Sequence, residues 1–274
     1  MTKTTLGIIA GQGDLPKQLI EACQSQNRPC VVVAFPGLTD PETVENIQHT
    51  WLPLGQVGQA LDYFKQSQVQ ELVMAGAIRR PSWSEIRPDW RGAKLMHKLM
   101  TGPQGDDSIL TAIIGELESE GFSIRGADEI IGNDILAAAG VLGQHSPSDQ
   151  ALQDIAYGKQ VLKTIAGLDI GQAVTVQQGM VLGIEAIEGT TELIDRSGTV
   201  KRPGDAPVLV KMGKPQQDRR ADLPTIGPDT IDQLHQAGFQ GLAVETDTVQ
   251  ILDQAAVIAQ ADQHQLFIIG IQHD

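Results

Sequence analysis

Residues 207–229 read PVLVKMGKPQQDRRADLPTIGPD. The apolar run at 208–210 has the length of a strand and delivers Lys211, Lys214, Arg219, Arg220 and Asp222 into a segment stiffened by Pro215, Pro224 and Pro228. Long cations on a rigid loop leaving a strand suit phosphate, because arginine grips phosphate oxygens in pairs and a stiff loop loses little entropy on binding. Asp222 is an acid among these bases. It either pairs with Arg219 or Arg220, or works beside the phosphates as a metal ligand or water-positioning group.

Other stretches have similar potential. Gly11-Gln12-Gly13 follows an apolar run and precedes a helical pattern, an arrangement that either offers backbone amides to an anion or is simply a tight turn. Arg79 and Arg80 follow a strand-like run and Gly76, and Trp83 and Trp90 flank that loop in positions that favour packing over ligand stacking. Asp106 and Asp107 stand before a helical pattern, where they serve equally as cap and dipole partner or as paired oxygen ligands for Mg²⁺. Glu185, Glu188, Thr190, Thr191 and Arg196 follow a hairpin, and carboxylates in such a place either bind a metal or hydroxyl groups or lie in solvent.

Several chemistries are missing. The chain has no Walker A loop, no GxSxG, no HExxH and no Cys/His zinc spacing, and its six histidines are scattered singly. The dinucleotide fingerprint fails as well, since Pro16 takes the place of the third glycine, which argues against NAD. The remaining inventory of carboxylates beside lysine and arginine fits metal-assisted phosphoryl or pyrophosphate chemistry.

Charge supports a small anionic ligand. The net charge of −14 argues against nucleic acid as a partner. Thirteen of the twenty basic residues nevertheless fall in two short stretches, Arg79 to Lys98 and Arg196 to Arg220, where the local field reverses. Cys23 and Cys30 have neither metal nor redox spacing, and no signal peptide is evident, so a reducing cytoplasmic setting without a disulfide is expected. The longest apolar runs are strand-sized, well short of the ~20 residues that cross a bilayer.

The positioning elements read as α/β throughout. Strands are expected at 6–10, 31–35, 72–75 and 122–124, with helices from 14, over 55–67 and over 109–120, giving a Rossmann-like parallel sheet in a domain of residues 1–133. A second α/β domain with a mixed sheet is expected over 134–274. Its helices lie at 135–139, 148–165, 229–237 and 254–263, and its strands at 174–177, 180–186, 208–210, 241–244, 249–252 and 266–270. Ligands of open parallel sheets bind beyond the carboxyl ends of the strands, which puts the Gly11 turn and the Arg79 loop on a binding edge.

The segments GQGDLP (11–16), GAIRRP (76–81), GDD (105–107), GMVLGIEAIEGTTELIDR (179–196) and above all VLVKMGKPQQDRRADLPTIGPDTI (208–231) together resemble the LpxI family, UDP-2,3-diacylglucosamine pyrophosphatases of lipid A biosynthesis. The resemblance runs in order over nearly the whole chain. It departs at GLAVETD (241–247), where Thr246 stands in place of a glycine. The resemblance implies a cytoplasmic Mg²⁺-dependent hydrolase that yields UMP and 2,3-diacylglucosamine 1-phosphate (lipid X), with the lipid-bearing ligand between two domains. It matches Asp222 to the family's critical aspartate and so moves that residue from ion pair to catalysis. Lys214 and Arg219 join it as catalytic candidates. Candidate substrate contacts are Gly11, Gly13, Arg79, Arg80, Thr190, Lys211, Gln217 and Thr225, and candidate ligands for Mg²⁺, or for Mn²⁺ in its place, are Asp222, Asp106, Asp107 and Glu185. A peripheral contact with the inner membrane and an oligomeric state are compatible with this assignment. A nucleotide-sugar transferase and a non-catalytic nucleotide-sugar binding protein are the competing readings.

Overall fold

The computed structural model describes residues 4–78, 86–101, 106–168, 170–215, 218–220 and 223–272, with 106–108 described through their backbone alone. The chain divides into two compact units, one built from residues up to Gly132 together with Asp218–Asp222, the other from the rest.

In the first unit the elements are β1 (Leu6–Ala10), α1 (Leu15–Ser25), β2 (Cys30–Ala34), α2 (Pro41–Val44), β3 (His49–Trp51), α3 (Val57–Gln66), β4 (Glu71–Ala75), α4 (Trp90–Thr101), α5 (Asp106–Ser119), β5 (Ser123–Arg125) and α6 (Ala127–Ile131). The five strands form one parallel sheet in the order β3-β2-β1-β4-β5. Parallel strands are covered on both faces, and β2, sequence CVVVA, is accordingly buried at every position. Leu19, Ile20 and Cys23 of α1 pack on one face with Ile130 of α6; Leu61 and Phe64 of α3 pack on the other with Ile114 and Leu117 of α5. This is the expected doubly wound arrangement, and its strand order reverses between β1 and β4.

The second unit contains β6 (Gly140–Leu142), α7 (Asp149–Ile165), β7 (Ala173–Gln177), β8 (Met180–Ile184), α8 (Gly189–Val200), β9 (Val208–Lys211), β10 (Thr225–Ile226), α9 (Pro228–Ala237), β11 (Gly241–Glu245), β12 (Gln250–Ile251), α10 (Gln254–Gln263) and β13 (Phe267–Ile271). Its main sheet runs β6-β13-β11-β9-β7-β8 and is mixed: β9, β11 and β13 are parallel, whereas β6, β7 and β8 pair antiparallel with their neighbours. Helix α7 covers one face through Ala151, Ile155 and Leu162, and α8, α9 and α10 cover the other.

Some expectations need correction. Residues 135–139 are not a helix: a 3-10 turn, Asn133–Ile135, leads to an extended stretch whose Ala137 amide donates to Val249 O and whose Ala137 carbonyl accepts from Asp247 N. Pairing with the backbone beyond β11 thus overrides the alanine helix propensity. Asp106 and Asp107 lie within the first turn of α5 rather than before it. Strand 249–252 shortens to β12, which pairs with β10 in a separate two-stranded ribbon. Trp90 does not pack over a core; it opens α4 at 73% exposure with the Arg91 guanidinium 6.0 Å from its ring centroid.

Candidate active site

The carboxyl end of the second sheet gathers most of the described candidate groups. β9 lies between parallel β11 and antiparallel β7, with Lys211 opposite Val244 on one side and Ala173 on the other. Because β7 runs opposite to β9 and β8 turns back to run the same way as β9, the start of β7 and the end of β8 lie at this same edge. Glu185, just past β8, and Thr190, in the first turn of α8, therefore meet Lys211 there.

These three residues form a hydrogen-bonded chain. The Lys211 Nζ donates to Thr190 Oγ1 at 2.7 Å, the Thr190 hydroxyl donates to Glu185 Oε1 at 2.5 Å, and the Gln172 amide donates to Glu185 Oε2 at 2.9 Å. Lys211 is 5% exposed and Glu185 6%. Burying an ammonium and a carboxylate carries a desolvation cost that opposite charge and hydrogen bonds must offset, and the Thr190 hydroxyl links the two. Of the two alternatives for the carboxylates here, Glu185 takes the one that meets a hydroxyl rather than solvent. Glu188 is instead held by Arg196 at 2.8 Å, and Arg196 also donates to Ile184 O. Its carboxyl is held below the ordinary glutamate range by its own backbone amide first, and then by Arg196.

The departure of the chain from β9 is fixed by two further bonds. Met212 N donates to Gln172 O at 2.9 Å and Gly213 N to Glu245 Oε2 at 2.9 Å, with Glu245 only 2% exposed. A Cβ on Gly213 would stand 2.2 Å from Thr248 Cγ2, so only glycine fits. Lys214 follows, half-buried. The chain is fastened again at Thr225–Ile226, which pairs with Gln250–Ile251, while the Thr225 hydroxyl donates to Leu223 O at 3.0 Å. The basic segment between Lys211 and Thr225 is thus anchored at both ends. Gln172 and Gly213 were not singled out from sequence. A glycine between two lysines directly after a strand was the available signal for the latter.

Within the first unit, Arg220 grips Asp218 through Nε at 3.0 Å and Nη2 at 2.7 Å, and reaches Glu118 through Nη1 at 2.7 Å. Hydrogen bonding to Arg220 holds the Asp218 carboxyl below the ordinary aspartate range despite partial burial. Arg219 is exposed. Gly11 and Gly76 approach each other closely: Gly11 N donates to Ala75 O at 2.7 Å, Gln12 N to Ala77 O at 2.9 Å and Ala77 N to Gln12 O at 3.1 Å. A Cβ on Gly11 would lie 2.6 Å from the Gly76 and Ala77 carbonyls. The Gly11 and Gln12 amides are therefore spent on stitching the ends of β1 and β4, not left for an anion. Gly13 has φ +88°, which accounts for the second glycine.

Asp89, unremarked in sequence, organises the next part of this unit. One carboxylate oxygen accepts from Gly92 N at 2.7 Å, capping α4, and the other from Gly58 N at 2.7 Å and Gln59 N at 3.2 Å at the start of α3. An aspartate three residues before a glycine in a helical pattern was the signal. Arg79, Arg80, Trp83, Gln217 and Asp222 lie outside the described residues, as do the side chains of Asp106 and Asp107.

Among the described residues no group of three or more His, Cys, Asp or Glu side chains is placed to hold a metal. Glu185, the one expected metal ligand whose side chain is described, accepts one hydrogen bond on each carboxylate oxygen, from Gln172 N and from the Thr190 hydroxyl. No helix among the described residues is long and apolar enough to cross a membrane.

Comparison with known proteins agrees with the architecture. Residues 5–133 match the family model of the LpxI N-terminal domain, and residues 138–269 that of the LpxI C-terminal domain. The chain is 35% identical over 276 aligned residues to UDP-2,3-diacylglucosamine pyrophosphatase LpxI of Caulobacter vibrioides, covering 97% of each. Among solved structures it is similar to CobK precorrin-6A reductase, at 12% identity and a TM-score of 0.33 over 99% of this chain and 88% of that one. An isoflavone reductase aligns at 12% identity and a TM-score of 0.30, over 99% and 79%. With both domain models matched in order and a full-length relative at this identity, the chain belongs to the LpxI family.

Proposed function

We propose that this protein hydrolyses the pyrophosphate bond of UDP-2,3-diacylglucosamine, with water supplying the oxygen that replaces the bridging one, to give UMP and 2,3-diacylglucosamine 1-phosphate. The observation that carries this reading is the end-to-end match to the Caulobacter vibrioides enzyme of that name. The buried Lys211 beside the anchored basic segment supports it, since a fixed ammonium at a strand end offsets charge on phosphate oxygens. Asp222 has the role of orienting the attacking water, and Lys214 and Arg219 that of neutralising the phosphates. Mg²⁺ dependence belongs to the same reading; no step is assigned to the ion.

Incubation of the pure protein with UDP-2,3-diacylglucosamine and Mg²⁺, with and without excess EDTA, tests both parts. UMP and lipid X in equal amounts are expected, with loss of turnover in EDTA and recovery with Mg²⁺ or Mn²⁺. Absence of both products overturns the hydrolase reading; undiminished turnover in EDTA overturns the metal.

With a lipid substrate goes a cytoplasmic location and contact with an anionic membrane surface. Helix α4 supports that contact: Trp90 and Met100 are exposed, and Lys94 and Lys98 share their solvent face in a protein of net charge −14. Flotation with phosphatidylglycerol vesicles should carry the protein and fail for Lys94→Glu/Lys98→Glu. Equal flotation of both proteins would exclude this helix as the docking surface.

A further inference from the structure

We infer that Glu185 and Thr190 are positioning residues for Lys211, fixing its ammonium at the end of β9 so that it meets a phosphate group of the ligand in one orientation. The inference rests on the hydrolase reading for its catalytic meaning, and on geometry alone for the positioning itself.

A lysine side chain has four rotatable bonds and a compact charge, so without a fixed partner its ammonium samples many positions. Here it is 5% exposed and bonded at 2.7 Å to a hydroxyl. That hydroxyl has one proton, which it gives to Glu185 at 2.5 Å, leaving its lone pairs for the ammonium. The donor order is therefore set: lysine to threonine to carboxylate. The far carboxylate oxygen is pinned by the Gln172 amide, and the Glu185 amide donates to Ala173 O, opposite Lys211 in the sheet. Each link is held by backbone at one end, so the position of Nζ is transmitted from the β7–β9 pair. Glu185 thus has a role in this chain through one accepted bond on each of its oxygens.

Thr190→Val keeps the shape of the side chain and removes the hydroxyl, whereas Thr190→Ser keeps the hydroxyl. Misplacing a group by about 1 Å costs on the order of 100-fold in rate, so Thr190→Val should lose about 10- to 100-fold in kcat while Thr190→Ser stays within about threefold of wild type. In a Lys211→Ala background Thr190→Val should cost nothing further, because residues acting as one unit are not additive. A full independent loss in that background would overturn the inference and assign Thr190 a direct role.

A second measurement does not need turnover. The rate at which Lys211 is acetylated by an N-hydroxysuccinimide ester, read by peptide mass spectrometry, should rise several-fold in Thr190→Val and in Glu185→Gln. An unchanged rate in both means that the chain does not hold Lys211. If wild type shows no turnover but the labelling rates rise as expected, the hydrolase reading fails while the positioning stands.

Discussion

The carboxylate of Glu245 accepts a hydrogen bond from the amide of Gly213 at 2.9 Å. This bond joins the end of β11 to the first free turn of the chain after β9, and it leaves no space for a side chain at 213. A methyl there meets Thr248 Cγ2 at 2.2 Å. Gly213→Ala should therefore shift Lys214 and cost about 1–3 kcal/mol of stability. Thr248→Ser, which deletes the obstructing methyl, should recover much of the loss in the double variant. Urea denaturation of the four proteins checks this, and an additive double variant would remove the steric explanation.

Asp222 follows two arginines and precedes Leu223-Pro224. Asp222→Asn is expected to lose most of kcat while folding normally and still binding lipid X, measured by turnover and calorimetry. Near-normal kcat in a soluble Asp222→Asn protein would remove it from the mechanism.

Asp154 is fully buried on α7, where it accepts from Gln178 N at 2.8 Å, Gly179 N at 2.7 Å and the Gln150 side chain at 3.1 Å. Both turn residues have positive φ, +48° and +76°, so the helix carboxylate caps the tight turn of the β7–β8 hairpin. Asp154→Ala takes the carboxylate acceptor away from the two turn amides and should cost about 1–3 kcal/mol, with Asp154→Asn costing less. Thermal unfolding of both variants gives the comparison; equal small losses would make the cap dispensable.

The Asp218–Arg220 pair is partly solvated, with side-chain exposures of 23% and 39%. Arg220 lowers the folded-state pKa of Asp218 below its unfolded value. Its contribution is thus complete above the ordinary aspartate range and is lost as pH falls through the lowered folded value. After allowance for screening, Arg220→Ala should cost on the order of 0.5–1 kcal/mol at pH 7. The difference from wild type should shrink as pH falls through the lowered folded-state value, below the ordinary aspartate range. A difference that persists at low pH would show that Arg220 acts through packing.

Most strands of both sheets were legible in sequence as short apolar runs between turn residues, and the periodic helices α1, α3, α7, α9 and α10 were equally so; the edge strands β3 and β6 were not, since HTW and GVL are too short to form such a run. Helix α8 was not, since GTTELIDRSGTV is rich in glycine and threonine; it forms because Leu193, Ile194 and Ser197 are buried against the unit. The basic charge and the prolines of 207–229 could be read directly. The chain from Lys211 through Thr190 to Glu185 could not, because a hydroxyl between two buried charges is a product of strand reversal. Asp89 was hidden for a related reason: a cap for its own helix is a local signal, but its second grip, on the start of α3, is a tertiary one.

The placement of β6 beside β13 has a consequence for how the protein is made. β6 opens the second unit in sequence, yet its partner residues Ile268, Ile269 and Gly270 are synthesised after every other strand of the sheet. All five strands of the first sheet have been translated by Arg125 and can pair while elongation continues. The second sheet has to wait with one rim open, and β6 stays unpaired until β13 has been made. Until β13 has emerged from the ribosome, the nascent chain therefore carries a finished amino-terminal sheet and a half-built second one whose β6 and β11 edges lack their partner, an opening for wrong strand pairing.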